Sequence, residues 1–364
     1  MRVRDVVDLA ADEAPPPRYG VEDIVQRGRR VRRRRRQAWA TSGAAGLAVL
    51  GVVAAVALQS RAVTGPAETA AQALTPVPVA APPFTFTVDA YEVGRLRVAP
   101  PVDVATAYQI APVYAEGLVT NDRAIDAAAP AREGPSLYAY LTVYRPGAYD
   151  PDKLPGARPV TVGERPGRET DVPEGGRLHT LAWEYADGAW AVIDSYSSEP
   201  GNPSAAEFRA LAAGLRGTTP RPAKVPVTLG YVPAGYQLDE VAQHAMTGLN
   251  GIAAARDGDY GGLLYSRPAQ PTTGLSEPYG GVEGADPPNS FVVYVVPSTN
   301  ANQRPSRQIS CGAGFCNRWS PDGKVNVQVA SRGAGGLSTE EIRKVLDGIT
   351  LADVTDDSTW KPVG

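Results

Sequence analysis

Apolar positions follow three different rhythms along this chain. The longest unbroken one is Ala38 to Leu58, AWATSGAAGLAVLGVVAAVAL, 21 residues without a charge. As a helix it extends about 31 Å, close to the hydrocarbon thickness of a bilayer. Ahead of it the rhythm is helical and short. Val3, Val6, Val7 and Ala10 form an i, i+3, i+4, i+7 stripe that Pro15-Pro16-Pro17 breaks, and Val21, Ile24 and Val25 begin a second pattern. From Phe84 onward the rhythm becomes that of strands. Phe84-Thr85-Phe86-Thr87-Val88 alternates as a half-buried strand should, and Leu137 to Tyr144 and Phe291 to Val296 are β-branched and aromatic runs bounded by Pro and Gly.

Within the strand-rich region one pattern occurs twice. Ser204 to Leu215 aligns without gaps on Ser338 to Ile349. Each segment opens with Ser-x-x-Glu, the capping-box signature, in which the Ser accepts from a free helix N–H and the Glu reaches back to another. Phe208, Leu211 and Leu215 then match Ile342, Val345 and Ile349 on one helical face, and Gly214 and Gly348 fall where a left-handed cap is expected. Upstream, Trp183 to Gly188 matches Trp319 to Gly323, with Asp-Gly between two strand-like runs, a hairpin signal. Each unit therefore reads strand, Asp-Gly turn, strand, capped helix. Chance amphipathic helices would not share cap, arginine, glycine, hairpin and order, so a duplication is expected. The front halves of the two units do not align by eye.

Charge changes the picture at the amino end. Residues 1–37 hold eleven Arg against six acids, residues 38–58 hold no charge, and residues 59–364 hold 25 basic against 33 acidic residues. Arg32, Arg33, Arg34, Arg35 and Arg36 stand just before the apolar run, and Trp39 sits at its edge as an interfacial anchor. The positive-inside rule keeps this block in the cytoplasm and sends the carboxyl end out; each Arg near an anionic leaflet contributes about 1 kcal/mol. A cleaved signal peptide, with Ala71-Gln72-Ala73 as the small-x-small site, is the alternative, but the run and the segment before it are both long for one. Glycines at 43, 46 and 51 are not spaced as a helix-dimer motif. The acidic body excludes nucleic acid as its partner, because phosphate binding needs clustered positive charge. An arginine run alone also suits nuclear targeting or nucleic acid, but its position against the apolar run favours topology.

The organisation expected is a cytoplasmic basic tail (1–37), one transmembrane helix (38–58), an Ala/Pro-rich linker acting as an extended spacer (59–83), two α+β units (84–222 and 223–353), each an antiparallel sheet with a carboxyl-terminal helix, and a frayed tail (354–364). The tail segments are too short to bury much alone; they are disordered, lie on the membrane, or dock on a partner.

The second unit opens Val227-Thr-Leu-Gly-Tyr-Val-Pro233-Ala-Gly235-Tyr236. This opening, with the Trp…Asp-Gly hairpin and the Ser-x-x-Glu helix, resembles small extracytoplasmic modules of bacterial membrane proteins that accompany sigma-factor and anti-sigma systems. The tail, arginine block and Ala-rich span look like single-pass membrane proteins of high-GC actinobacteria. The likeness covers the topology and about half of the body. It implies a place in envelope sensing or regulation, carries no functional residue over and names no ligand.

Candidate chemistry is sparse. Cys311 and Cys316 are separated by four residues on the outer side and are expected to form a structural disulfide that holds the strand before Trp319. Two Cys and two His in the whole chain leave no zinc set, and the tail lacks the His and Cys of a zinc-binding anti-sigma segment. No metal, no cofactor and no catalytic residue is expected. His179 and His244 lie in different units. Arg256-Asp-Gly-Asp259 reads as a solvated turn, the Gly- and Tyr-rich stretch 258–284 as a mobile loop, and Ser358-Thr-Trp-Lys361 as a chance match to a nucleophile motif. The expected function is membrane-anchored sensing or binding without catalysis. A cytoplasmic regulatory protein is expected on residues 1–31 and an extracytoplasmic ligand on the body. An envelope hydrolase whose residues are scattered in sequence is the first alternative, and a lipid-handling or structural scaffold the second. A deep pocket gathering His179 or His244 with carboxylates would favour the hydrolase.

Overall fold

A computed structural model describes residues 75–119, 132–171, 179–195, 203–244, 260–279, 287–298 and 304–363, all within one compact unit. The arginine block, Trp39 and the apolar run 38–58 lie outside them, as do Ala71-Gln-Ala and Arg256-Asp-Gly-Asp. Among the described residues no helix is long and apolar enough to cross a membrane. The fold is α+β and sheet-dominated.

The first half opens with β1 (Thr85–Val88) and a small hairpin, β2 (Tyr91–Val93) and β3 (Leu96–Val98). A meander follows: β4 (Asp103–Ala105), β5 (Tyr108–Val119) and β6 (Arg132–Tyr144). Then come β7 (Arg158–Val162), β8 (Arg165–Thr170), β9 (His179–Ala186), β10 (Ala189–Ser195), the helix α1 (Ala205–Ala213) and β11 (Gly217–Pro222). After a short connector strand, β12 (Lys224–Val225), the second half runs β13 (Val227–Leu229), β14 (Gln237–Gln243), β15 (Gly261–Ser266), β16 (Ser290–Pro297), β17 (Ser310–Gly312), β18 (Phe315–Trp319), β19 (Val325–Arg332), helix α2 (Thr339–Asp347), β20 (Ile349–Leu351) and β21 (Lys361–Pro362).

The two halves share one strand order. In the first it is β4-β5-β6-β10-β9-β8, with β7 added at the edge; in the second it is β14-β15-β16-β19-β18-β17. Each half also pairs its opening strand with the strand after its helix, β1 with β11 and β13 with β20, both antiparallel. The halves join through β4 and β14, so one antiparallel sheet runs through both.

Sheet register fixes which residues face the helices. Val104 opposes Gln109 on β5 and Val241 on β14, placing these on one face; Asp103 opposes Ile110 and shares the other with Ala105 and Tyr108. On the helix face Phe208 and Leu211 pack with Val113, Leu141 and Ile193, and Ile342, Val345 and Leu346 with Val293, Val327 and Val329. The other face is lined by Tyr108, Tyr140, Tyr144 and Tyr294 and is covered by Tyr149, Leu154, Leu275 and Tyr279. β1 is buried on both faces rather than alternating, because the ribbon it forms with β11 packs into the core through Phe86 while Gln109 holds its other side.

The capped helices form, with differences. Ser204 accepts from Glu207 N, and Glu207 accepts from Ser204 N at 2.8 Å, a complete box. Ser338 accepts from Glu341 N, but Glu341 turns instead to the Tyr231 hydroxyl at 2.7 Å and to Lys344. Gly214 and Gly348 end their helices in the right-handed region, φ −85° and −78°, not as left-handed caps. Glycine stands there for close approach: a Cβ on Gly214 would meet Val93 and Tyr91 at 3.0–3.1 Å, and one on Gly348 would meet Tyr231 N at 3.1 Å. Both Asp-Gly turns form, with Gly188 and Gly323 at φ +67° and +71°.

Three loop expectations are corrected. The stretch after 258 carries β15, whose Tyr265 stacks on Phe291 at 5.0 Å, and Tyr279 is buried against Tyr108. The carboxyl end is not frayed: β21 pairs with β12, and Trp360 is buried with its indole N–H donating to Asp353 O at 2.9 Å. The last nine linker residues, 75–83, are fastened to the body instead of spacing it. Gly217 N donates to Thr75 O at 2.7 Å, and the Arg145 guanidinium donates to Ala81 O and Pro82 O.

Candidate functional site

The joint between the halves carries two acids. Asp103-Val104-Ala105 on β4 lies antiparallel to Glu240-Val241-Ala242 on β14, with Val104 opposite Val241. A local two-fold through that valine pair carries Asp103 onto Glu240 and Ala105 onto Ala242. Both carboxyls are about 1–2 % exposed, on the tyrosine-lined face, within hydrogen-bonding reach of each other. The Tyr108 hydroxyl donates to Glu240 Oε2 and accepts from Tyr279 N at 2.9 Å. Thr106 Oγ1 lies 3.0 Å from the Tyr279 hydroxyl, which donates to Pro271 O. Burial, then the Glu240 charge and hydrogen bond, push the Asp103 carboxyl well above the usual carboxylate range. Two carboxylates this close and this dry hold a proton between them. Asp103 Oδ1 is buried without a hydrogen-bond partner, a polar atom left over inside the joint.

Neighbouring Asp239 faces elsewhere. It accepts from Ser266 Oγ and from Gln270 N at 2.9 Å, and burial raises its pKa despite those bonds. The sequence reading missed both acids of the joint. The signal was present as two acid-Val-Ala triplets, but the β2–β3 hairpin in the first half breaks the spacing an eye would follow.

The histidines are not brought together. His179, at the start of β9, is about one-tenth exposed. Its Nδ1 contacts Asp171 Oδ1, and its Nε2 lies 3.4 Å from Glu169 Oε1. Glu169 is fully buried and also meets Arg158 at 2.8 Å and Arg209 of α1 at 2.6 Å. The His179 hydrogen bond first, and Arg158 after it, hold the Asp171 carboxyl below its ordinary range. The cluster ties β8, β9 and α1 together; Nδ1 is committed to Asp171, while Nε2 is buried without a hydrogen-bond partner. His244 is half-exposed in the second half. Its ring lies 4.7 Å from Trp360, tilted at 37°, and meets Asp357 at 2.7 Å. Among the described residues no group of three or more His, Cys, Asp or Glu is placed to hold a metal ion.

Cys311 and Cys316 are bonded and sit directly opposite each other on β17 and β18, with Cys316 buried against the helix face. A cleft opens beside the joint, on the other side of Val104. Pro78, Val79 and Ala81 of the fastened linker line it together with Thr87, Gln109, Val143, Arg145 and Tyr185, while the Tyr108 and Tyr144 rings point to the opposite face. Neither histidine lines it. Compared with protein-family models and with curated proteins, the chain matches none.

Proposed function

We propose that the chain is a membrane-anchored sensing protein whose outer body, a tandem duplication, changes state on binding a ligand and passes that change through the linker to the cytoplasmic tail. The observation that carries this reading is the fastening of residues 75–83. A spacer merely holds a domain away from a membrane. Here the last residues before the body are hydrogen-bonded to β11 and to the end of β6 and run beside Val104 of the joint. A shift between the halves therefore has a covalent route toward the anchor.

Duplication is supported by the shared strand order, the paired opening and closing strands, and the acid-Val-Ala triplets related by the local two-fold. A non-catalytic role is supported by the placement of His179, whose ring is buried beside Phe208 and lines no cleft among the described residues. The uncharged run 38–58 behind five arginines supports single-pass placement with the amino end in the cytoplasm.

The test is a pull-down of tagged full-length chain from native membranes beside a chain lacking residues 1–31, which keeps Arg32 to Arg36. The reading expects a cytoplasmic regulator with the full chain that disappears with the truncation. The same set of proteins from both would remove the signalling arm.

A further inference from the structure

The fastened linker is held as a bound peptide is held. All the hydrogen bonds between it and its bed described above run from the body to main-chain oxygens of the linker: Gly217 N to Thr75 O, and Arg145 to Ala81 O and Pro82 O. Residues 75–83 read Thr-Pro-Val-Pro-Val-Ala-Ala-Pro-Pro, so four of nine positions have no N–H to offer and every one has a carbonyl. A bed that supplies donors suits a segment that supplies acceptors. The approach is close: a Cβ on Gly217 would lie 2.2 Å from Pro76 O, so only glycine admits the linker backbone there. One side chain anchors it, Val77, buried beside the helix α1 core. The rest of its length is surface: Pro76, Val79, Ala80, Pro82 and Pro83 are exposed. Thr85, Thr87, Val104, Gln109, Val143 and Tyr185 line the cleft beside Pro78 and Val79.

We propose that this bed is a peptide-binding groove, that the chain's own residues 75–83 are its resident ligand, and that the ligand sensed is a polypeptide with an extended proline-rich segment that takes their place. This rests on the sensing reading and supplies its ligand class. Recognition runs through carbonyls, proline's missing N–H and one buried β-branched side chain, so it reads conformation more than sequence. Displacement frees the linker from Arg145 and Gly217 and so changes the path between body and anchor.

The experiment uses the full-length chain with residues 75–83 replaced by a Gly-Ser segment of equal length. The probe is a fluorescent synthetic peptide of residues 75–83. The groove expects saturable binding to this variant, at least about tenfold tighter than to the unaltered chain, whose resident segment competes. In the replaced background Arg145→Ala should weaken binding about tenfold or more, the effect of losing a charge-assisted pair of hydrogen bonds. Val77→Asp in the otherwise intact chain loosens the resident segment without touching the bed, and should raise peptide affinity if the replaced variant fails to fold. A peptide with its prolines changed to alanine should bind more weakly. No binding to a folded variant, or binding indifferent to Arg145→Ala, overturns the proposal. Either result leaves the pull-down comparison standing, so the groove can fail while the sensor does not.

Discussion

Replacing Asp103 by Asn should remove a pH dependence that the native body carries at its joint. Burial and Glu240 raise the folded-state pKa of Asp103, while in the unfolded chain it titrates near about 4. A group raised in the folded state contributes stability that is complete below the unfolded value and is lost as pH rises toward the folded one. Over that window the folded chain holds one proton more than the unfolded chain, and stability falls by about 1.4 kcal/mol per pH unit. The assay is urea unfolding of full-length chain at pH 5, 6 and 7, followed by tryptophan emission; four of the five tryptophans lie in the body. The stability difference between Asp103→Asn and the native chain should then shift in favour of the variant by about 1.4 kcal/mol for each unit of pH, until the native pair gives up its proton. Asp239, also raised by burial, is common to both chains and cancels. So do the carboxyls held low, such as Glu207 at about 2, which act only in acid. Parallel curves would show that Asp103 does not hold the proton of the joint.

Other outcomes follow from single contacts. Ser204→Ala breaks a complete capping box and should cost about 1 kcal/mol, while Ser338→Ala, at a half-made one, should cost less; thermal unfolding of the two compares them. Phe208→Ala empties a fully buried site under α1 and should cost about 3–5 kcal/mol by denaturant titration. Asp171→Asn removes a carboxyl held low by His179 and Arg158; that stability is present above about pH 4 and lost as pH falls. The variant's acid-unfolding curve should therefore be flatter than the native one. Reducing the Cys311–Cys316 bond should lower stability by about 2 kcal/mol, the modest entropy of a short loop, read as a lower melting temperature with reductant.

How much of this was legible depended on how local the signal was. The Asp-Gly turns and Ser-x-x-Glu caps are written in four to six consecutive residues; both turns and the Ser204–Glu207 box formed where expected, while at Ser338 only the serine half formed because Glu341 bonds Tyr231. The left-handed caps at Gly214 and Gly348 failed because what needs glycine there is a neighbour distant in sequence, Tyr91 on β2 or Tyr231 after β13, which no local window contains. Glu169, Asp171, His179 and Arg209 looked unrelated for the same reason: two strands and a helix must be in register before they meet. The linker misled in a different way. Its prolines signal extended chain, yet residues 79–80 bend, and composition says nothing about whether donors such as Arg145 wait alongside.

Ala223 lies between the halves and is fully buried. Its N–H donates to Phe84 O, at the start of the first half, and its carbonyl accepts from Val363 N, at the last described residue. One residue in mid-chain thus clasps both ends of the body. A chain made from its amino end can fill the first side of that clasp as soon as the first half and residue 223 have been made. The other side stays empty until residue 363 has been made. A chain cut a few residues short would leave that carbonyl unmet and Lys224–Val225 without its partner strand. Formation of residues 361–363 is in this way registered at the middle of the fold.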